Sequence, residues 1–174
     1  MGITSNLTLY LLLIAAVVGD MQYMKVSNRL IVVGIFSGLG FSLMKGGPEN
    51  LIRVLSNMFF PVILLFIFYL LGVIGPGDIK LFSVIGCYFE FRKLCACIVC
   101  SFALAGAVSL VQLIRYGRMK TAIYRGLLYF AGVLQGKTAV YAGEEGNQTN
   151  RIHFTIEILT GALLASLWAG SGKF

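Results

Sequence analysis

The fold is decided by residues 54–89, VLSNMFFPVILLFIFYLLGVIGPGDIKLFSVIGCYF. Residues 54–74 are apolar almost without interruption, with no alternation of wet and dry positions. A crossing helix needs about 20 such residues, so this run predicts a membrane-spanning helix. Gly75-Pro76-Gly77 then breaks the pattern, Asp78 follows, and a shorter apolar run covers 79–89. Inside hydrocarbon every backbone polar group must be satisfied within the protein, which leaves helices or closed barrels. Unbroken runs without a period of two select helices.

Outward from this stretch, further apolar segments lie at 3–19, 30–43, 94–114 and 152–169. The expectation is an all-α polytopic bundle of about six transmembrane helices, one membrane domain over 1–174. The segment 79–89 is short for a full crossing and is expected to be tilted, thin or partly re-entrant. Residues 115–151 form a cytoplasmic or interfacial loop. Within it, 121–135 mixes Tyr124, Leu127, Leu128, Tyr129 and Phe130 with Arg125 and reads as an interfacial helix.

Composition agrees with lipid as the outer solvent. Apolar residues make up 58% of the 174 positions and charged residues 12%, about half the share found in soluble domains. Mean hydropathy is +0.87. In a soluble chain the net charge of +7 would point to nucleic acid. Here it is the ordinary excess of Lys and Arg in cytoplasmic loops, and no nucleic-acid partner is expected. The N-terminal segment has neither a basic leader nor an A-x-A site, so it reads as a retained helix. Cys87, Cys95, Cys97 and Cys100 show neither a zinc pattern nor a disulfide framework and read as small hydrophobes.

Orientation follows from the cations. With the N-terminus outside and six crossings, Lys25, Arg29, Lys80, Arg115, Arg118, Lys120, Arg125, Lys137 and Arg151 fall inside. Lys45, Arg53, Arg92, Lys93 and Lys173 fall outside. The positive-inside rule selects this arrangement.

Only seven residues are acidic, and two of them mark span ends. Asp20 follows the first span, and Asp78 lies between the third and fourth. Two crossings separate them, so both emerge at one membrane face, whichever face that is. Acids at the edge of hydrocarbon are costly and point to function. Two carboxylates in a poorly solvated site share one proton. One can then activate water while the other polarises a carbonyl or protonates a leaving amine. Pro76 stops the preceding helix, and Gly77 allows close backbone approach and a positive φ. The plainer reading makes Asp78 a helix N-cap.

The run Gly75-Pro76-Gly77-Asp78-Ile79-Lys80-Leu81 resembles the G-x-G-D-[VI]-K-L signature of type IV prepilin peptidases. Asp20 with Asn28 eight residues on, and Ile152-His153-Phe154 at the last span, are similar to two further family features. The resemblance implies a catalytic pair of Asp20 and Asp78, supported by Gly75, Gly77, Lys80 and Asn28, with no metal or organic cofactor. It implies a prepilin substrate whose short basic leader is removed at the cytoplasmic face of a prokaryotic cytoplasmic membrane. Only residues 21–28 separate the first two spans, so the chain looks like the short, peptidase-only type of tight-adherence (Flp) or archaeal systems. N-methyltransferase activity is not expected. Ser27 and His153 each replace a usual proline, which bears on local geometry.

Several residues carry two readings. Lys80 either tunes the aspartates or snorkels to the interface. Asn28 either supports the site or caps the second span. Glu157 is either a third site carboxylate or leader-binding group, or the partner of Arg151 or Lys80. His153 either joins the site or caps a helix. A presenilin-like protease is disfavoured because no P-A-L motif is present. A small proton-coupled transporter would place its carboxylates near the midplane, not at span ends.

Overall fold

The computed structural model describes residues 3–23, 26–71, 73–115 and 154–170. All regular structure among them is helical: α1 (Ile3–Tyr23), α2 (Asn28–Leu70), α3 (Pro76–Tyr88), α4 (Phe91–Arg115) and α5 (Phe154–Gly170). Two compact units are distinguished, 1–103 with 153–174, and 104–152. Of the second, only the end of α4 is described. The loop beyond Arg115, with the expected interfacial helix at 121–135, lies outside the described residues.

Three stretches are long and apolar enough to cross a bilayer: Thr4–Tyr23, Glu49–Leu70 and Phe91–Arg115. Asn28–Met44 and Phe154–Trp168 are shorter apolar helices. Each of the six segments expected from sequence forms helix over most of its described residues. α2 contains two of them. Its helix is broken at Gly47 (φ 63, ψ −160), a conformation that essentially only glycine adopts. Large side chains such as Phe36, Ile63, Val99 and Leu167 face outward, as a lipid-solvated surface requires.

α3 explains why the fourth apolar segment is short. Its 13 residues rise about 20 Å at 1.5 Å each, well under the ~30 Å hydrocarbon thickness. Protein, not lipid, surrounds it. Ile79 and every residue from Leu81 to Tyr88 are buried. Its main neighbour is α2, which approaches across small residues. A Cβ on Gly34 would lie 2.7 Å from Val84, and one on Gly38 would lie 2.6 Å from the Cβ of Cys87. These glycines are four apart, the spacing that lets membrane helices touch backbone to backbone. On the opposite side of the contact, a Cβ on Gly86 would collide with the carbonyl oxygen of Asn57. Hydrogen bonds lock the crossing: Tyr88 and Ser37 hydroxyls lie 2.6 Å apart, and Asn57 Nδ2 donates to the Phe89 carbonyl at 3.1 Å. Buried polar groups satisfied in this way fix one arrangement of two greasy helices.

α5 closes the unit against α1. Leu9, Leu13 and Ala16 are buried on α1; Ile158, Ala162 and Ala165 are buried on α5. Tyr10 Oη donates to the Ala162 carbonyl at 3.4 Å. The start of α5 also joins an aromatic cluster, with Phe154 rings 5.5 Å from Phe102 and 6.2 Å from Phe82.

Candidate active site

Three helix ends supply the polar groups. Asp20 lies in the last turn of α1, Asp78 in the first turn of α3, and Glu157 in the first turn of α5. Asp20 and Asp78 are half-buried, whereas Glu157 is 7% exposed. The structure brings them together: the charges of both Asp20 and Glu157 act on Asp78.

The backbone sets Asp78 in place. Gly75 is the N-cap of α3, Pro76 occupies its first turn, and Asp78 therefore stands at the third helical position. Pro is suited there because its missing N–H would have no helical partner. From that position the Asp78 carboxylate accepts a hydrogen bond from the Gly75 N–H, which is half of a capping box. Gly75 itself has no side chain to cap with. Asp78 thus does not act as N-cap, the plainer reading of the sequence.

Asp78 precedes the apolar run 79–89, and its carboxyl is pushed up to about 6 from 3.8. Burial is the largest cause; the negative charge of Asp20 comes next, the Gly75 hydrogen bond opposes both, and Glu157 adds a smaller push. A carboxyl so placed keeps a proton to higher pH than a solvated one. Asp20 is held differently. Thr155 Oγ1, itself 1% exposed, donates to Asp20 Oδ2 at 2.8 Å. One aspartate is thus oriented by a hydroxyl and its neighbour is disposed to keep a proton.

Other expected residues take different places. Gly77 has no positive φ; among the described glycines only Gly47 does. A Cβ on Gly77 would make an ordinary 3.6 Å contact with Val26, so the turn comes from Gly75 and Pro76 instead. Asn28 does not cap α2. Ser27 is the N-cap, and Asn28 Oδ1 accepts a hydrogen bond from Lys80 Nζ at 3.1 Å. Lys80 is exposed and is not among the causes acting on Asp78; it ties α3 to the start of α2. Ser27 has φ −65, the value proline imposes, so the backbone there is one that proline also adopts. Glu157 makes no ion pair with Lys80. His153 and Arg151 lie outside the described residues.

Thr155 was not legible as a site residue. A hydroxyl in the first turn of an apolar helix is commonplace, and only the fold carries it to Asp20.

The sequence profile of the type IV leader peptidase family matches residues 7–110, more than half of the chain, and this stretch contains both aspartates and the Gly-Pro-Gly turn. The chain belongs to the type IV leader peptidase family. No curated protein and no solved structure matches it. Membership makes this a peptidase, and with its apolar helices a membrane protein. Thr155 and Glu157 lie beyond the stretch matched to the leader peptidase family, on α5.

Proposed function

We propose that this leader peptidase is an aspartic endopeptidase that removes the short basic leader of type IV, Flp-like prepilins at the cytoplasmic membrane face. The supporting observation is the meeting of two half-buried aspartates from α1 and α3, where burial, and after it the charge of Asp20, disposes Asp78 to keep a proton. In this reading Asp20, steered by Thr155, takes the proton of an attacking water. Asp78 donates its proton to the scissile carbonyl oxygen. As the tetrahedral intermediate collapses, Asp20 passes the proton taken from water to the leaving amine and Asp78 recovers its own from the gem-diol hydroxyl. Both roles are needed at once for amide hydrolysis. The reading includes six crossings with the N-terminus outside, a prokaryotic cytoplasmic membrane, and no cofactor. α1 ends at Tyr23 and α2 begins at Asn28, which leaves no room for an added catalytic insert. As in the short, peptidase-only type that the chain resembles, N-methylation of the product is not expected. The experiment is incubation of the detergent-solubilised protein with an Flp-like prepilin, read by mass spectrometry. One cut just ahead of the hydrophobic segment is expected. A substrate left intact would refute the assignment.

Thr155 offers a finer test. Thr155→Val removes the donor to Asp20 and should lower kcat roughly tenfold, as expected for a hydrogen bond to a carboxylate, with little change in KM. Thr155→Ser keeps the hydroxyl and should restore most of the rate. Equal rates for Val and wild type would detach Thr155 from the chemistry.

The pH dependence follows from Asp78. Its proton is held more tightly in the folded protein than in an unfolded chain, so the folded value lies above the unfolded one. The associated stability is complete below about 3.8 and is lost as pH rises through about 6. The same deprotonation removes the acid of the pair, so kcat/KM should fall as pH rises through about 6. Asp78→Asn should abolish the stability trend. A melting temperature with the same slope in that variant would contradict it.

A further inference from the structure

We propose that Glu157 is a specificity-determining residue that receives a cationic side chain, Lys or Arg, of the substrate beside the aspartate pair. The inference rests on Asp20 and Asp78 being the site of hydrolysis. Glu157 is 93% buried, since 7% of it is exposed. Its Oε2 atom is fully enclosed and has no hydrogen-bond partner among the described residues. A buried carboxylate oxygen without a donor is costly, and native proteins keep few of them.

The following donors among the described residues are already committed. Thr155 donates to Asp20. Thr160 donates to the backbone carbonyls of Ile156 and Glu157 rather than to the carboxylate. Lys80 is bonded to Asn28, and the described ion pair joins Arg53 to Glu90 instead. Among the described residues no cation acts on Asp78, whereas two carboxylates do. The carboxylates of α1, α3 and α5 thus act together on one point, and charges of one sign concentrate the opposite one.

The chemistry of the missing donor is narrowed by what the cluster is not. Among the described residues, no three His, Cys, Asp or Glu are grouped so as to hold a metal ion. An ammonium or guanidinium on a long apolar stem suits the position better: the stem passes between greasy helices while the head meets the acid. The half-buried aspartates are the accessible members and Glu157 the buried one. A side chain arriving with the scissile bond at Asp20 and Asp78 meets Glu157 deeper in.

The test uses the whole protein in detergent and peptides that span the scissile bond. Lys is placed in turn at each of the three positions on either side, and each peptide is compared with its Nε-acetyl-lysine counterpart. Acetylation keeps the stem and removes the charge. Wild type should cleave the Lys form about tenfold or more efficiently at one position, since hydrogen bonds between charged groups are the strong ones. Glu157→Gln should bring that ratio close to one, Glu157→Asp should keep it, and Glu157→Lys should favour Glu at the same position. Each ratio is internal to one preparation, so partial loss of folded protein cancels. A ratio that survives in Glu157→Gln, or wild type with no cationic preference anywhere, overturns the role of Glu157 alone. Wild type that cleaves no peptide overturns the hydrolytic reading and this one with it.

Discussion

Asp20→Asn and Asp78→Asn are each expected to lower kcat/KM for prepilin cleavage by about 10³-fold while the protein remains folded. Acid–base roles in a single step contribute ~10²–10⁴-fold, and among the described residues Glu157 and Lys80 are poorly placed to stand in. Glu157 is buried, and Lys80 is held by Asn28. Asn preserves the shape of each side chain and can still accept the Thr155 hydrogen bond, so loss of activity would report chemistry, not collapse. Full activity in either variant would remove that aspartate from the mechanism. Substrate binding should survive in both, which a pull-down with uncleaved prepilin can measure.

The second large effect is on folding. Gly86→Ala should destabilise the purified protein by about 1–3 kcal/mol, the usual range for overpacking, and Gly86→Leu should prevent folding. The added Cβ would meet the Asn57 carbonyl oxygen, with the Asn57 carbonyl carbon at 2.9 Å and Met58 Cα at 3.2 Å. These are backbone atoms of α2 and cannot rotate away as a side-chain end would. Relief requires α3 to move off α2, which also breaks the Tyr88–Ser37 and Asn57–Phe89 contacts. Gly40→Ala is the control, because a Cβ there meets nothing within 4 Å. Thermal unfolding in detergent should show a clear drop for Gly86→Ala and none for Gly40→Ala. Equal melting temperatures would mean the helices are not in backbone contact at Gly86.

The helical architecture was legible because lipid leaves the backbone few choices, so continuous apolar runs translate almost directly into helices. Asp20 and Asp78 were legible because charge at the end of an apolar run has few structural excuses. The reasons behind the short run 79–89 were not legible. A thin span and a helix sheathed in protein have the same sequence, and only the glycine contacts of Gly34, Gly38 and Gly86 distinguish them. Gly77 shows the converse failure: a glycine beside a proline suggested a left-handed turn, but the capping pattern of Gly75 and Pro76 absorbed the change of direction. Asn28 and Lys80 were each given separate roles, whereas they satisfy one another across 52 residues of sequence. Thr155 and the unpartnered state of Glu157 are tertiary facts, set by how α5 docks on α1.

The most direct measurement is a double-mutant cycle on the pair, with wild type, Asp20→Asn, Asp78→Asn and the doubly substituted protein assayed under single-turnover conditions. Groups that act as one unit give strongly non-additive losses. Shared action of Asp20 and Asp78 on one water predicts that the double variant cleaves prepilin within a few-fold of either single variant. Losses that multiply, or a single variant that cleaves at the wild-type rate, would contradict it.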